Sequence, residues 1–265
     1  MNGNLQMISV ITPVYNGILH IESCIVNVLE QACADAEHII VDGGSTDGTV
    51  EVIKRYAEHY RHIRWLSEKD RGQSDAMNKG IQMAKGDILG FLNVDDFYEP
   101  GCLNEVLNLF KTLPEPSLLV GNCNMWGIQG ELIETNKPAH LDLLQLLSAQ
   151  VSVFPFPVNP SAYFYSRSLH DIIGMYDIHE HYTLDLDFIL RAVMHVKPVY
   201  VNESFGNYRY LEGTKTFEDM KKGSGDVRFG QLIKNYRRKL PPALRLKVFY
   251  FIILGKFFKL IRYNP

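Results

Sequence analysis

The chain has 265 residues with 46% hydrophobic and 22% charged side chains, a balance that excludes a disordered, collagen-like or membrane-embedded protein. Net charge is −3, but ten Lys and Arg and no Asp or Glu lie between Val227 and Pro265, leaving the first 226 residues at −13. That asymmetry argues against a nucleic-acid-binding body and singles out the C-terminal segment. Four scattered cysteines, Cys24, Cys33, Cys102 and Cys123, form no CxxC pair, so they read as small buried hydrophobes of a reducing cytosol rather than a zinc site. The N-terminus shows no basic region followed by an apolar core and cleavage site, and no run of about 18 apolar residues spans a bilayer. A cytoplasmic protein is expected.

In chain order, Met7–Thr12 predicts a buried strand ended by Pro13, and Ile18–Gln31 a helix with Ile18, Ile21, Ile25, Val28 and Leu29 on one face. His38–Val41 is a second strand. Asp42-Gly43-Gly44-Ser45-Thr46-Asp47 is turn chemistry, with Asp47 set to cap a helix over 48–59. Ile63–Leu66, the helix Ser74–Ala84 and the strand Ile88–Leu92 follow. This alternation predicts a mostly parallel sheet flanked by helices, an α/β fold. In such sheets ligands bind beyond the carboxyl ends of the strands. Polar clusters fall at four such ends: 12–16, 42–47, 70–75 and 93–96. After Pro100 the pattern gives a helix Cys102–Leu113, a strand Ser117–Gly121, an irregular stretch 122–160, a strand Ala162–Tyr165, a helix Leu184–His195 and a strand Pro198–Asn202. The second half is expected to complete the sheet and build an acceptor side.

Adjacent carboxylates at a strand end, Asp95 and Asp96 after Asn93, repel one another unless a cation is near. A hard divalent ion, Mg²⁺ or Mn²⁺, suits carboxylate oxygens and a bound diphosphate. The plain alternative is a solvated pair leading into the next helix.

ITPVYN, VDGGSTDGT, SEKDRGQSDAMNKGI, GFLNVDD and TLDLDFILR, in this order over roughly residues 7–210, resemble glycosyltransferase family 2. The resemblance implies the GT-A fold, an inverting transfer and a nucleotide-sugar donor. It implies base or ribose contacts for Thr12, Pro13 and Tyr15. Asp42 resembles the aspartate that meets the nucleobase, the alternative being an Asx-turn residue. Asp70, Arg71, Gly72 and Asp75 resemble a loop that closes over nucleotide and sugar. Arg71 is either a phosphate partner or solvent-facing, and Asn78 or Lys79 a donor contact. Where the family writes its metal motif DXD, this chain has Asn93 first. Asp96 is then the first choice as metal ligand, with Asp95 a second ligand or a ribose or sugar contact. Asp185, six residues before Arg191, matches the catalytic base. Its alternative is a charge favourable at a helix N-terminus, with Asp187 facing elsewhere. Arg209 is a diphosphate candidate, although Leu211 stands where many relatives carry histidine. Asn159, Ser161 and Trp126 are acceptor-side candidates, Trp126 equally a packing residue.

The expected donor is UDP- or dTDP-linked, and the acceptor a glycan or a lipid-linked glycan of a bacterial surface polysaccharide. Domains are expected at 1–215, with a nucleotide half 1–99 and an acceptor half 100–215, and a helical extension at 216–265. Leu244–Ile261 is too charged to span a bilayer. It suits a basic helix on a membrane surface, or one docked on its own domain or on a second copy in a homo-oligomer. A sugar-phosphate nucleotidyltransferase lacks support because ITPVYNG holds no basic phosphate loop. A non-catalytic nucleotide-sugar binder is disfavoured by the retained Asp95, Asp96 and Asp185. A Rossmann dehydrogenase is disfavoured because no GxGxxG follows the first strand.

Overall fold

The computed structural model describes residues 6–148, 156–214, 217–218 and 221–263, with side chains to residue 253. Its first half follows the alternation of the sequence: β1 (Ile8–Val14), α1 (Ile21–Glu30), β2 (Ala36–Asp42), α2 (Thr49–His59), β3 (Ile63–Ser67), α3 (Gln73–Met83) and β4 (Ile88–Phe91). Then come β5 (Phe97–Tyr98), α4 (Cys102–Phe110), β6 (Leu118–Trp126), β7 (Leu132–Asn136), α5 (Leu143–Ser148), β8 (Tyr163–Ser166), α6 (Leu169–Ile173), α7 (Leu184–Val193) and β9 (Val199–Arg209). Two helices close the chain, α8 (Gly225–Lys239) and α9 (Pro242–Tyr263).

The sheet runs β3-β2-β1-β4-β8-β6-β9-β5, with β7 hanging on β6. Strands β3, β2, β1 and β4 are parallel. The expected mostly parallel sheet needs correction beyond that point. There β8 is antiparallel to β4 and β6, β7 to β6 and β5 to β9, and only β6 and β9 run parallel. Pro13 does not end β1, which continues to Val14. Ile11 O accepts from Leu92 N on the β4 side and Val14 O from Gly43 N on the β2 side. Pro13 shares the side of Ile11, and β4 stops at Phe91, so its missing N–H has no ladder partner to lose.

All seven β1 residues are buried, because helices cover both faces. Ile11, Ile39 and Phe91 face one apolar cluster with Met77, Leu184 and Phe188. Ile8, Val10 and Leu92 face another with Cys24, Leu103 and Val106. Helix α3 lies close on β1 because Gly80 has no side chain. A Cβ there would stand 2.3 Å from Ile11 Cγ2. In the stretch expected to be irregular, β6 runs on to Trp126 and folds back through β7. Phe229 and Ile233 of α8, with Leu240 and Val248, join the first cluster, so the extension shares the core of the main body. Cys24, Cys102 and Cys123 are buried free thiols, as expected of small hydrophobes, and Cys33 is half-buried.

Candidate functional site

The carboxyl ends of β1 and β2 are locked together. Ser45 Oγ accepts from Asn16 N at 2.7 Å, Asn16 Oδ1 from Thr46 N at 3.0 Å, and Asp47 Oδ2 from Ile18 N at 3.0 Å. Asp47 also accepts from the N–H and hydroxyl of Thr49, as a residue beside a helix start does. Asn16 adopts a left-handed φ of 49° that its short polar side chain tolerates.

Several residues that the sequence nominates for ligand contact are taken up by the scaffold. Thr12 is fully buried and bonds His38 Nε2 at 2.9 Å. It points with Val10 and Val14 toward α1, away from the strand-end cleft. Burial keeps His38 neutral, its pKa lowered to about 3. Asp42 is also fully buried. Its oxygens accept from Gly44 N and Ser45 N, both at 3.0 Å, from Ser67 Oγ at 2.6 Å and from Ser45 Oγ. The Asx-turn alternative accounts for that carboxylate in full. Asp75 accepts from Arg71 N and Arg71 Nη2, both at 3.1 Å, and pairs with Lys79 at 3.5 Å. Asn78 clamps the backbone of Tyr176, donating to its carbonyl at 2.8 Å and accepting from its N–H at 2.9 Å. Pro13 is buried, whereas Tyr15 is 66% exposed and Arg71 stands out on the rim.

The third and fourth strand ends meet above the sheet. Asp70 Oδ1 accepts from Gly72 N at 2.9 Å, and a Cβ on Gly43 would lie 2.6 Å from Asp70 Oδ2. Gln73 Nε2 donates to Asn93 Oδ1 at 3.2 Å. Asn93 Nδ2 in turn donates to Asp96 Oδ2 at 2.9 Å.

Asp96 is 1% exposed and heavily engaged. Its Oδ2 also accepts from Asn159 Nδ2 at 2.7 Å, and its Oδ1 from Arg209 N at 3.2 Å. Burial, then repulsion from Asp95, lift its carboxyl above the ordinary range. Asp95 is only partly buried, and no described side chain donates to it. Burial raises it too, against the favourable charges of His20 and Arg209. Of the two, Asp95 has the carboxylate open to a cation.

Asn159 and Ser161 are buried supports. Asn159 Oδ1 caps the 3-10 turn at 160–162, accepting from Ser161 N at 2.9 Å and Ser161 Oγ at 2.7 Å, while its amide holds Asp96. Gly206 leaves room for this turn, since a Cβ there would lie 2.0 Å from Ser161 Oγ. Four residues on from Asn159, Tyr163 Oη donates to Asp185 Oδ1 at 3.0 Å. One short segment therefore grips Asp96 at one end and Asp185 at the other. Tyr163 stacks on Phe188 with ring centroids 5.8 Å apart, which fixes its hydroxyl. Asp187 faces away from Asp185: it accepts from Arg191 Nε at 2.8 Å and Tyr236 Oη at 2.6 Å, tying α7 to α8.

The guanidinium of Arg209 lies 4.9 Å from the Phe97 ring centroid, and its Nε is buried without a partner among the described residues. A buried donor with nothing to donate to is a feature that an anionic ligand would satisfy. Trp126 Nε1 donates to Asn207 Oδ1 at 2.7 Å, which fixes the ring, and its face borders an apolar groove of about 310 Å³ with Phe97, Ile128, Arg209 and Leu211. The sequence did not single out Gln73, Tyr163, Asn207 or the 180–181 turn. That turn accepts from Ser74 Oγ at 2.8 Å and lies against Gly72. None belongs to a charged pair or Gly-rich run that pattern reading can detect.

Residues 9–129 match the family model described as Glycosyl transferase family 2. A PGL/p-HBAD biosynthesis glycosyltransferase of Mycobacterium bovis is 28% identical over 259 residues, covering 94% of this chain and 89% of that protein. The glycosyltransferase YibD of Escherichia coli, named as uncharacterized, is 35% identical over 124 residues. That match covers 47% of this chain and only 35% of the relative. Among solved structures, Staphylococcus aureus TarS 1–349 in complex with UDP-GlcNAc superposes with a TM-score of 0.67 at 18% identity, covering 94% of this chain and 72% of that one. A Pyrobaculum calidifontis mannosyltransferase in complex with GDP-Man and Mn²⁺ gives 0.64 at 20%, covering 93% and 69%. These likenesses establish the GT-A fold, and residues 9–129 of the chain are similar to glycosyltransferase family 2.

Proposed function

We propose that this chain is a glycosyltransferase that moves a sugar with inversion from a UDP- or dTDP-linked donor to an acceptor hydroxyl, using Asp185 as base and Asp95 as the carboxylate nearest the donor's metal-bound diphosphate. The observation that carries the reading is the 159–163 segment, whose two ends hold Asp96 and Asp185. The UDP-GlcNAc bound by TarS supports the donor class. The mycobacterial relative is named for PGL/p-HBAD biosynthesis, and for this chain a glycan or lipid-linked glycan acceptor in surface polysaccharide assembly is the reading carried from the sequence.

Mg²⁺ or Mn²⁺ fits the donor set. Among the described residues no three His, Cys, Asp or Glu side chains form a ready cage. A hard divalent ion on a nucleotide diphosphate needs only one or two carboxylates, the phosphates and water. The Mn²⁺ complex of the Pyrobaculum enzyme supports the same assignment. Bound there, the ion supplies neutralisation of the charge that develops on the departing diphosphate. Asp96 acts behind Asp95, holding Asn93, Asn159 and the Arg209 backbone in place. Arg209 Nε donates to the diphosphate, and Arg71 swings in from the rim to the same group. Tyr15, Asp70, Gly72 and Asn93 line the nucleoside and sugar side. Tyr163 orients Asp185, which takes the proton from the attacking hydroxyl as that oxygen bonds the anomeric carbon and the diphosphate leaves from the opposite face. Trp126 offers its face to the acceptor.

We place the catalytic domain at 1–215, its nucleotide half at 1–99, and the extension at 216–265, with the protein working at the cytoplasmic side of a membrane. The test is thermal stabilisation by a panel of nucleotide sugars with and without Mn²⁺. Metal-dependent stabilisation by a UDP- or dTDP-sugar is expected. Equal stabilisation in chelator would overturn the metal assignment, and preference for a guanine nucleotide the donor class.

A further inference from the structure

Helix α9 has two apolar faces, and the fold uses one of them. Leu244, Val248 and Ile252, spaced four apart, pack on α5 and the main core; Val248 is 2% exposed. On the other side Leu246, Phe249, Tyr250 and Ile253 are exposed, by 68, 59, 63 and 46%. At roughly 100° per residue the centres of the two strips stand about 150° apart, so the second strip faces away from the protein. Arg245 and Lys247, both exposed, fall on either side of it. Preceding helix α8 exposes Lys234, Arg238 and Lys239, and no acidic residue follows Asp226.

We infer that this outer strip of α9 lies in the headgroup region of an anionic phospholipid bilayer, with Arg245 and Lys247 at its margins and the domain held above it by the inner strip. Charge selects this occupant over strip-to-strip pairing of two copies: a face flanked by Arg245 and Lys247 is complementary to acidic lipid, whereas the same strip of a second copy would set cations against cations. An aromatic pair beside aliphatic side chains, flanked by Lys and Arg, is the composition that settles at a bilayer surface. Among the described residues no helix is long and apolar enough to cross the membrane, which leaves an in-plane arrangement. The strip is opposite the core, so its use requires no rearrangement of the candidate active site and no part of the transfer chemistry.

The full chain is sedimented with phosphatidylcholine vesicles, with and without phosphatidylglycerol, at low and high salt. Expected is binding to the anionic vesicles alone, weakened by salt. The double variant Phe249→Ala/Tyr250→Ala should weaken it by more than about tenfold, as loss of two buried aromatic anchors implies. Lys247→Gln should weaken it roughly fivefold. Neither change touches the core, so the unfolding temperature and transfer to a soluble acceptor should stay unchanged, which separates this test from that of the chemistry. Equal binding by wild type and the double variant, or equal binding to neutral vesicles, would overturn the inference. So would a stable dimer that binds no vesicle and that the double variant converts to monomer, because the strip would then belong to a second copy.

Discussion

Asp95 and Asp96 are neighbours of one residue type, yet the structure assigns them opposite sensitivities. Asp96→Asn keeps the size of the side chain but turns one of its two acceptors into a donor. Three donors converge there, Asn93 Nδ2 at 2.9 Å, Asn159 Nδ2 at 2.7 Å and Arg209 N at 3.2 Å. One amide oxygen can serve only the Oδ1 side or the Oδ2 side, so one or two bonds to a charged acceptor are lost, at about 1.5–3 kcal/mol each. Relief of a buried charge and of its repulsion with Asp95 offsets part of this. The net is a destabilisation of roughly 1–4 kcal/mol, or about 2–15 °C in Tm for a chain of this size. Asp95→Asn removes a repulsion and no hydrogen bond from another described residue, so its Tm should equal or exceed that of wild type. Its transfer activity and its stabilisation by Mn²⁺ with donor should both collapse. Calorimetry and a transfer assay on the two variants decide the matter. An Asp96→Asn protein as stable as wild type, beside an active Asp95→Asn protein, would refute the division of roles.

Tyr163→Phe keeps the stacking on Phe188 but removes the donor to Asp185, so kcat should fall roughly ten- to hundredfold while donor affinity and KM for donor hold; a change confined to KM would count against a positioning role. Gly206→Ala places a methyl inside the contact distance of Ser161, a clash that repacking of buried backbone cannot absorb, and should cost about 3 kcal/mol or more by thermal melt. An unchanged Tm would show that the 160–162 turn is free to shift. In donor-free protein, Asp95 and Asp96 have raised pKa values, so the stability they contribute is fully present below the ordinary carboxylate pKa and is lost as pH rises through the folded values. Between about pH 4 and neutrality the Asp96→Asn variant should therefore show a flatter pH dependence of Tm than wild type. An identical slope would contradict the pair's titration.

The parallel half of the sheet was legible because short apolar strands alternate with amphipathic helices, as Ile21, Cys24, Ile25 and Val28 of α1 display. The four polar strand ends do come together. What pattern could not supply was side-chain direction. Both faces of β1 are buried, so no alternation in hydrophobicity distinguishes Thr12, turned toward α1, from a residue turned to the cleft. Likewise VDGGSTD reads as a ligand loop with a turn as its alternative, and the four donors around Asp42 show that the turn is formed. Asp185 and Asp187 are alike in sequence, and Tyr163 and Tyr236, 22 and 49 residues away from them, tell them apart. The two-residue β5 and the extension of β9 to Arg209 exist through long-range pairing with no local signal. The two-faced character of α9 emerges only once one strip is seen against α5.

Transfer of a sugar by Asp185→Asn, measured alongside donor binding, tests the chemistry most directly. A loss of about 10²–10⁴-fold or more in kcat with donor affinity within about twofold is expected of a missing general base. Transfer at the wild-type rate would contradict the assignment of Asp185 and with it the reading of the cleft.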